Sequence, residues 1–216
     1  MKTLSLLSLA VFSVLAGCGG SDNDAPARTP ITGVFLDGAV ENLDYIAVTA
    51  AKSSTNAKGE FTCYAGDTVS FSIGGIALGS APCAATITPL QLAGVTDIKD
   101  VKVINRLLAL QLLDEDSDPS NGIKIAADVK TALASRSADF SASATTFNLS
   151  MTDNLKAAGA KYAARTADDS RRALVREHFE DTLASKVGTP VNESFTQKTA
   201  LGDVAVSVTR YQIQAA

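Results

Sequence analysis

The sequence predicts an α+β fold: a small N-terminal β-sandwich, then a helical segment, then a C-terminal strand. Three observations predict it. Residues 31–95 alternate apolar with polar side chains, the period of half-buried strands. Residues 96–190 switch to helical spacing, with apolar residues three and four apart. The tail 191–216 alternates again in GDVAVSVTRYQIQ, which suits a final strand that returns to the sheet or forms a hairpin edge.

Residues 1–17 read as an export signal, outside the fold. Lys2 precedes an apolar run from Leu4 to Ala16, too short to span a bilayer, and small residues follow. The ending Leu15-Ala16-Gly17-Cys18 resembles the lipobox of bacterial lipoproteins. That resemblance implies cleavage before Cys18 and acylation of its thiol and amine, with chains such as palmitate. Several acyl chains make a stable membrane anchor where one is marginal. Gly19 stands where an inner-membrane retention signal would carry Asp, so the resemblance implies the outer membrane. Residues 18–30 then read as the lipidated cysteine and a flexible tether: GGSDNDAPARTP is small, polar and aperiodic.

The strands follow in GVFLDGAVENLDYIAVTA, GEFTCYAGDTVSFSIGGIALGS and CAATITPLQL, cut by Gly, Asp and Asn turn signals. In GDTVSFSIGG, Val69, Phe71 and Ile73 share one face, and Thr68, Ser70 and Ser72 the other. A one-sided strand needs a second layer, and a sandwich is the economical solution. Cys63 and Cys83 remain once Cys18 is set aside; in an exported chain they are expected to form a disulfide. GGIALG, residues 74–79, lacks the spacing of a nucleotide-binding loop and no helix pattern follows it, so it reads as a hairpin turn.

Helical spacing begins with Val101, Ile104, Leu108 and Gln111, a stripe widened by Leu107, Leu110 and Leu112. A second helix fits IAADVKTALAS. A third fits TADDSRRALVREHFEDTLASKVG, with Thr166 as N-cap and Gly188 as its end. Its buried stripe is expected to be Leu174, Val175, His178, Phe179, Thr182 and Leu183. SADFSASATTFNLS between them is small and polar, and reads as a loop.

The order TGVFLDGAVENLDY, TNAKGEFTCYAGDTVSFSIGGIALGSA, ITPLQLAG and NRLLALQLLDEDSDPSNGIKI resembles an uncharacterised module of proteobacterial surface and secreted proteins. Within it Thr55-x-x-x-Gly59-x-Phe61 is similar to the turn of carboxypeptidase-regulatory-like and transthyretin-like sandwiches. The resemblance implies architecture and carries no catalytic residues.

The candidate site is LLDEDSDPSNGI, where Asp114, Glu115, Asp116 and Asp118 follow a helix C-terminus, already the negative end of the macrodipole. Asp114, Asp116 and Asp118 alternate as the first ligands of an EF-hand loop do, and Asn121 supplies a further oxygen for Ca²⁺. Yet Pro119 replaces the glycine that loop requires, and Ile125 its bidentate glutamate, so the sequence is not an EF-hand. The other reading is a solvated turn, with Asp118-Pro119-Ser120-Asn121-Gly122 as ordinary turn chemistry and Arg106 or Lys124 near the acids. His178, the sole histidine, has no metal-ligand spacing around it and reads as a core or interface residue.

A net charge of −4, no Trp and no basic block exclude nucleic acid as a partner. The expected role is a lipid-anchored envelope protein acting as a non-enzymatic binding or structural module, with the membrane and an envelope protein or polymer as partners. The alternatives are a periplasmic hydrolase using His178 with a carboxylate and a hydroxyl, or a binder of small apolar ligands between sheet and helices.

Overall fold

The structure, a computed structural model, describes residues 28–48, 51–186, 191–199 and 202–210. The export signal, Cys18, most of the tether and Gly188 lie outside the described residues. The fold is α+β, with strands first and helices after.

Strands β1 (Pro30–Phe35), β5 (Glu60–Tyr64) and β8 (Thr86–Ile87) form one sheet in the order β5-β1-β8. Strands β3 (Asp44–Ala47), β4 (Ser53–Ser54), β6 (Thr68–Ile73) and β7 (Ile76–Pro82) form the other, in the order β4-β3-β6-β7. They face each other across aromatic rings. Phe35 and Phe61 from the first sheet meet Phe71 from the second, with centroids 4.8 and 5.2 Å apart. As alternation predicts, Val69, Phe71 and Ile73 are buried, while Thr68 and Ser70 are exposed. The Gly74-Gly75 pair turns β6 into β7, matching the hairpin reading of GGIALG. The bond between Cys63 of β5 and Cys83 just after β7 ties the two sheets together.

The Thr55–Phe61 stretch carries the chain from one sheet to the other, and its side chains explain how. Thr55 is buried; its hydroxyl donates to the Val40 carbonyl at 2.5 Å and accepts from the Leu43 amide at 2.9 Å. Asn56 Oδ1 accepts from the Lys58 and Glu60 amides, closing a turn that ends on Gly59 at φ +73°. A side chain there would be strained, and a Cβ would lie 2.8 Å from the Phe35 carbonyl.

Four sequence readings are corrected from Pro89 onward. The end of CAATITPLQL is a helix, α1 (Pro89–Ala93), not strand. Thr88 and Gln91 form a capping box, Pro89 takes the first turn, and Gly94 ends it at φ +67°. SADFSASATTFNLS is not a loop throughout: α4 (Ala144–Ala158) starts inside it, capped by Ser143. Phe147, Met151, Leu155 and Ala158 form its buried stripe, a period masked by the Ser, Thr and Asn residues between them. The other helices are α2 (Val101–Leu112), α3 (Ala127–Ala132), α5 (Ala160–Ala163) and α6 (Asp169–Lys186). The cap of α6 is Asp168, whose carboxylate accepts from the Arg171 amide at 2.8 Å, and not Thr166. Its core contact is narrower than expected: Val175 and Phe179 are buried, His178, Thr182 and Leu183 half-buried, and Leu174 is 55% exposed.

One core cluster runs without a break from Phe35 and Phe71 in the sheets to Leu107, Met151 and Phe179 in the helices. Polar groups also join the halves. Lys130 of α3 donates to Asn42, Asp44 and Ser54, and the Arg106 guanidinium of α2 donates to the Leu78 carbonyl of β7 at 2.6 Å. The short strands β2 (Val40–Glu41) and β9 (Ile123–Lys124) pair in parallel, so the β1–β2 turn lies against the acidic loop. The chain continues in a hairpin, β10 (Val191–Thr199) and β11 (Gly202–Arg210), rather than in a strand of the sandwich sheets.

Candidate functional site

Residues 113–125 leave α2, double back and pair with their own start. The Glu115 amide donates to the Lys124 carbonyl at 2.8 Å, and Asp114 and Ile125 bridge. The four acids therefore ring a closed loop at the C-terminus of α2. What meets their charge is Arg165, from the turn after α5. Its guanidinium donates to the carbonyls of Leu112 at 2.6 Å, of Asp114, and of Glu115 at 3.3 Å. One fork thus satisfies carbonyls that the helix end leaves open and sets a cation where the macrodipole is negative. Arg165 also lies over the Tyr162 ring, 4.5 Å from its centroid, which holds the side chain in place.

The acids divide by environment. Asp114 is buried; Oδ1 accepts from the Lys124 amide at 2.8 Å, while Oδ2 is buried with no donor from another group. Burial raises its pKa, and the Asp116 carboxyl beside it adds to the rise. Asp116 is exposed and accepts from Asn121 Nδ2 at 2.9 Å and the Asp118 amide at 3.0 Å; with the Asn121 bond foremost, its pKa falls to about 2. Asp118 caps a single 3-10 turn, Pro119–Asn121, accepting from the Ser120 amide and hydroxyl.

This geometry bears on the calcium expectation. Asp116 and Asp118 each accept from a backbone amide within the loop, and Asn121 offers Asp116 its NH₂ group, not its oxygen. Among the described residues, no group of three or more His, Cys, Asp or Glu side chains is arranged to hold a metal ion. Asp114, Asp116, Asp118 and Asn121 are brought together, but as turn chemistry. Of the two cations expected nearby, Lys124 pairs with Glu115 at 3.1 Å, whereas Arg106 is engaged at β7. Arg165 was not foreseen, because nothing in the sequence marks a residue fifty positions away as the loop's counter-charge.

The loop forms one wall of an open cleft of about 810 Å³, whose other walls come from Glu41 and Ala57 and from Lys161 and Arg165. Its charges are largely spoken for: Lys124 by Glu115, Arg165 by three carbonyls. A neighbouring cleft of about 510 Å³ shares Asn121 and Gly122 and is lined by His178, Thr182 and Lys186 of α6. His178 Nε2 lies 3.4 Å from Thr182 Oγ1, and the ring also bonds the backbone of Asp37. Burial lowers its pKa; Asp181 and Asp118 act on it only through longer-range charge.

Asp37, in the β1–β2 turn, is fully buried. Its carboxyl meets Gln111 Nε2 at 3.3 and 3.4 Å, and the same amide donates to the Val175 carbonyl of α6. Desolvation lifts its pKa to about 8, so it is mainly protonated at neutral pH.

No family model matches this chain, and no curated protein or solved structure does either.

Proposed function

We propose that this is a lipid-anchored protein of the cell envelope, held at the outer membrane through Cys18, whose folded body is a non-enzymatic binding or structural module. The observation that carries the reading is the Cys63–Cys83 bond. A disulfide across two sheets belongs to a chain that matures in an oxidising compartment, the destination that residues 1–18 specify. The single core and the polar ties across it make a rigid body, suited to presenting a surface at the end of a tether.

The other two readings draw less support. A hydrolase built on His178 needs a carboxylate to orient the imidazole and a nucleophile beside it. His178 bonds a backbone group on one side and a threonine hydroxyl at 3.4 Å on the other. An apolar-ligand site between sheet and helices would need open space where Leu78, Leu107, Leu108 and Leu110 are packed into the core.

The test is metabolic labelling with a palmitate analogue, followed by density separation of inner and outer membranes. The wild-type chain should carry label and sediment with outer membranes, and Cys18→Ser should lose both. A chain recovered unlabelled, or bound to membranes independently of Cys18, would overturn the anchoring. For the body, turnover of model esters by the purified chain that disappears in His178→Ala would overturn the non-enzymatic reading.

A further inference from the structure

The two clefts that border the acidic loop differ in charge. The larger, of about 810 Å³, sets Glu41, Glu115 and Asp116 beside Lys124, Lys161 and Arg165, so a ligand of either sign meets its like there. The smaller, of about 510 Å³, is built from β1, the turn at 55–59, the Pro119–Asn121 turn and the C-terminal half of α6. None of its described lining residues is acidic, although the chain carries a net charge of −4. Its volume falls in the range of small-molecule sites, roughly 300–1,000 Å³.

Two cations reach it from separate elements. Lys58 comes from the turn that ends on Gly59, and Lys186 from the last turn of α6. Among the described residues, neither ammonium is engaged in an ion pair or a hydrogen bond. Lys52, Lys124, Lys130 and Lys156, by contrast, each pair with a carboxylate. One unpaired surface lysine is ordinary; two that line the same acid-free concavity point to an anion.

His178, Thr182 and Ser185 of α6 add polar lining. Burial lowers the pKa of His178, so at pH 7 it contributes polarity rather than charge. Apolar lining comes from Val34 and Leu36 of β1 and from Pro119. Gly38 leaves room beside them. At φ +72° a side chain there would be strained, and its Cβ would lie 3.4 Å from both His178 Nε2 and the Pro119 carbonyl oxygen.

The donors select the kind of anion. No described lining residue is an arginine, so there is no fork to grip a phosphoryl group. The turn offers no nest of amides either, because those of Ser120, Asn121 and Gly122 already bond to Asp118 and Pro119. Two ammonium groups, point charges on flexible stems, suit a single carboxylate, and the apolar lining suits a short aliphatic chain behind it.

We propose that this cleft binds a small aliphatic carboxylate, its head group between Lys58 and Lys186 and its chain against Val34, Leu36 and Pro119. The site gives the binding module proposed above a ligand class, and so rests on that reading, though not on the membrane anchor.

Isothermal titration of the purified Cys18→Ser chain at pH 7 and low salt, with hexanoate as the probe, tests the assignment. Hexanoate should saturate a single site, and hexanamide, which keeps the chain without the charge, should bind about tenfold more weakly. Lys58→Ala and Lys186→Ala should each weaken hexanoate about three- to fivefold, as one exposed ion pair contributes. Ser185→Trp, at an exposed position of α6, should fill the cleft and abolish binding while the thermal melt stays that of the parent. No saturable binding at millimolar hexanoate, or equal affinity in the parent and both lysine variants, overturns the proposal. Hexyl phosphate binding more tightly than hexanoate would overturn the carboxylate and make this a phosphoryl site. Hydrolysis of ethyl hexanoate that Ser185→Trp blocks would uphold the site and overturn the non-enzymatic reading.

Discussion

Replacing Arg165 by Met keeps the length of the side chain and removes its charge and its donors. In the parent the guanidinium serves the carbonyls of Leu112, Asp114 and Glu115. Hydrogen bonds from a charged donor contribute about 1.5–3 kcal/mol each when buried. Arg165 is only half-buried and water can reach the Glu115 carbonyl, so about 1 kcal/mol per bond is the fairer figure here. A cation at a helix C-terminus adds roughly 0.3–1 kcal/mol, here facing a loop of four acids. The sum is about 3–4 kcal/mol, which for a body of this size lowers the melting temperature by roughly 6–16 °C. Arg165→Lys should recover less than half of it, because one ammonium cannot span three carbonyls. The assay is thermal unfolding followed by far-ultraviolet circular dichroism at pH 7 and low salt. Lys156→Met serves as the control, since its contact with Asp153 is exposed on both sides and should cost less than about 0.5 kcal/mol. If Arg165→Met melts within about 2 °C of the parent, the guanidinium is a bystander and the loop is held by its own backbone.

Other perturbations probe the remaining features. Asp37 has a folded pKa near 8, above its unfolded value near 3.8, so its contribution to stability is fullest below pH 4 and is lost as pH rises through 8. Asp37→Asn should flatten that slope and melt above the parent at pH 8; equal pH slopes in the two proteins would refute the assignment. Loss of the Cys63–Cys83 bond, which closes a separation of 20 residues, should cost about 3 kcal/mol in urea titrations of Cys63→Ala/Cys83→Ala. Thr55→Val removes a hydroxyl that bonds on both sides and strands the Leu43 amide; about 2–3 kcal/mol should be lost, again by urea titration. Millimolar Ca²⁺ against EDTA should leave the melting temperature unchanged, and a calcium-specific rise abolished in Asp116→Asn would restore the metal reading.

What the sequence revealed and what it concealed follow from the range of the interactions involved. The buried set Val69, Phe71 and Ile73 was legible because strand alternation is local, and the α2 stripe because helical spacing is. The start of α4 was hidden, since Ser, Thr and Asn dilute its apolar period and only Ser143 marks the cap. His178 was assigned to a wide buried stripe that tertiary packing narrows to Val175 and Phe179. The acidic loop was recognised as a site of charge, but its counter-charge came from Arg165, and no local pattern encodes a pairing over that distance. Asp37 shows the same limit: a turn residue by neighbourhood, buried only because α2 and α6 close over it.

The clasp of Arg165 on the end of α2 also sets an order of assembly. The partners are separated by 53, 51 and 50 residues, whereas the two cysteines are separated by only 20. A chain that emerges N-terminus first presents the sandwich and its staple well before residue 165 exists. During that interval the C-terminus of α2 carries open carbonyls and a ring of acids without their cation. The loop therefore settles late, when α5 arrives, and the sandwich half must hold its shape on the strength of its aromatic core and its disulfide until then.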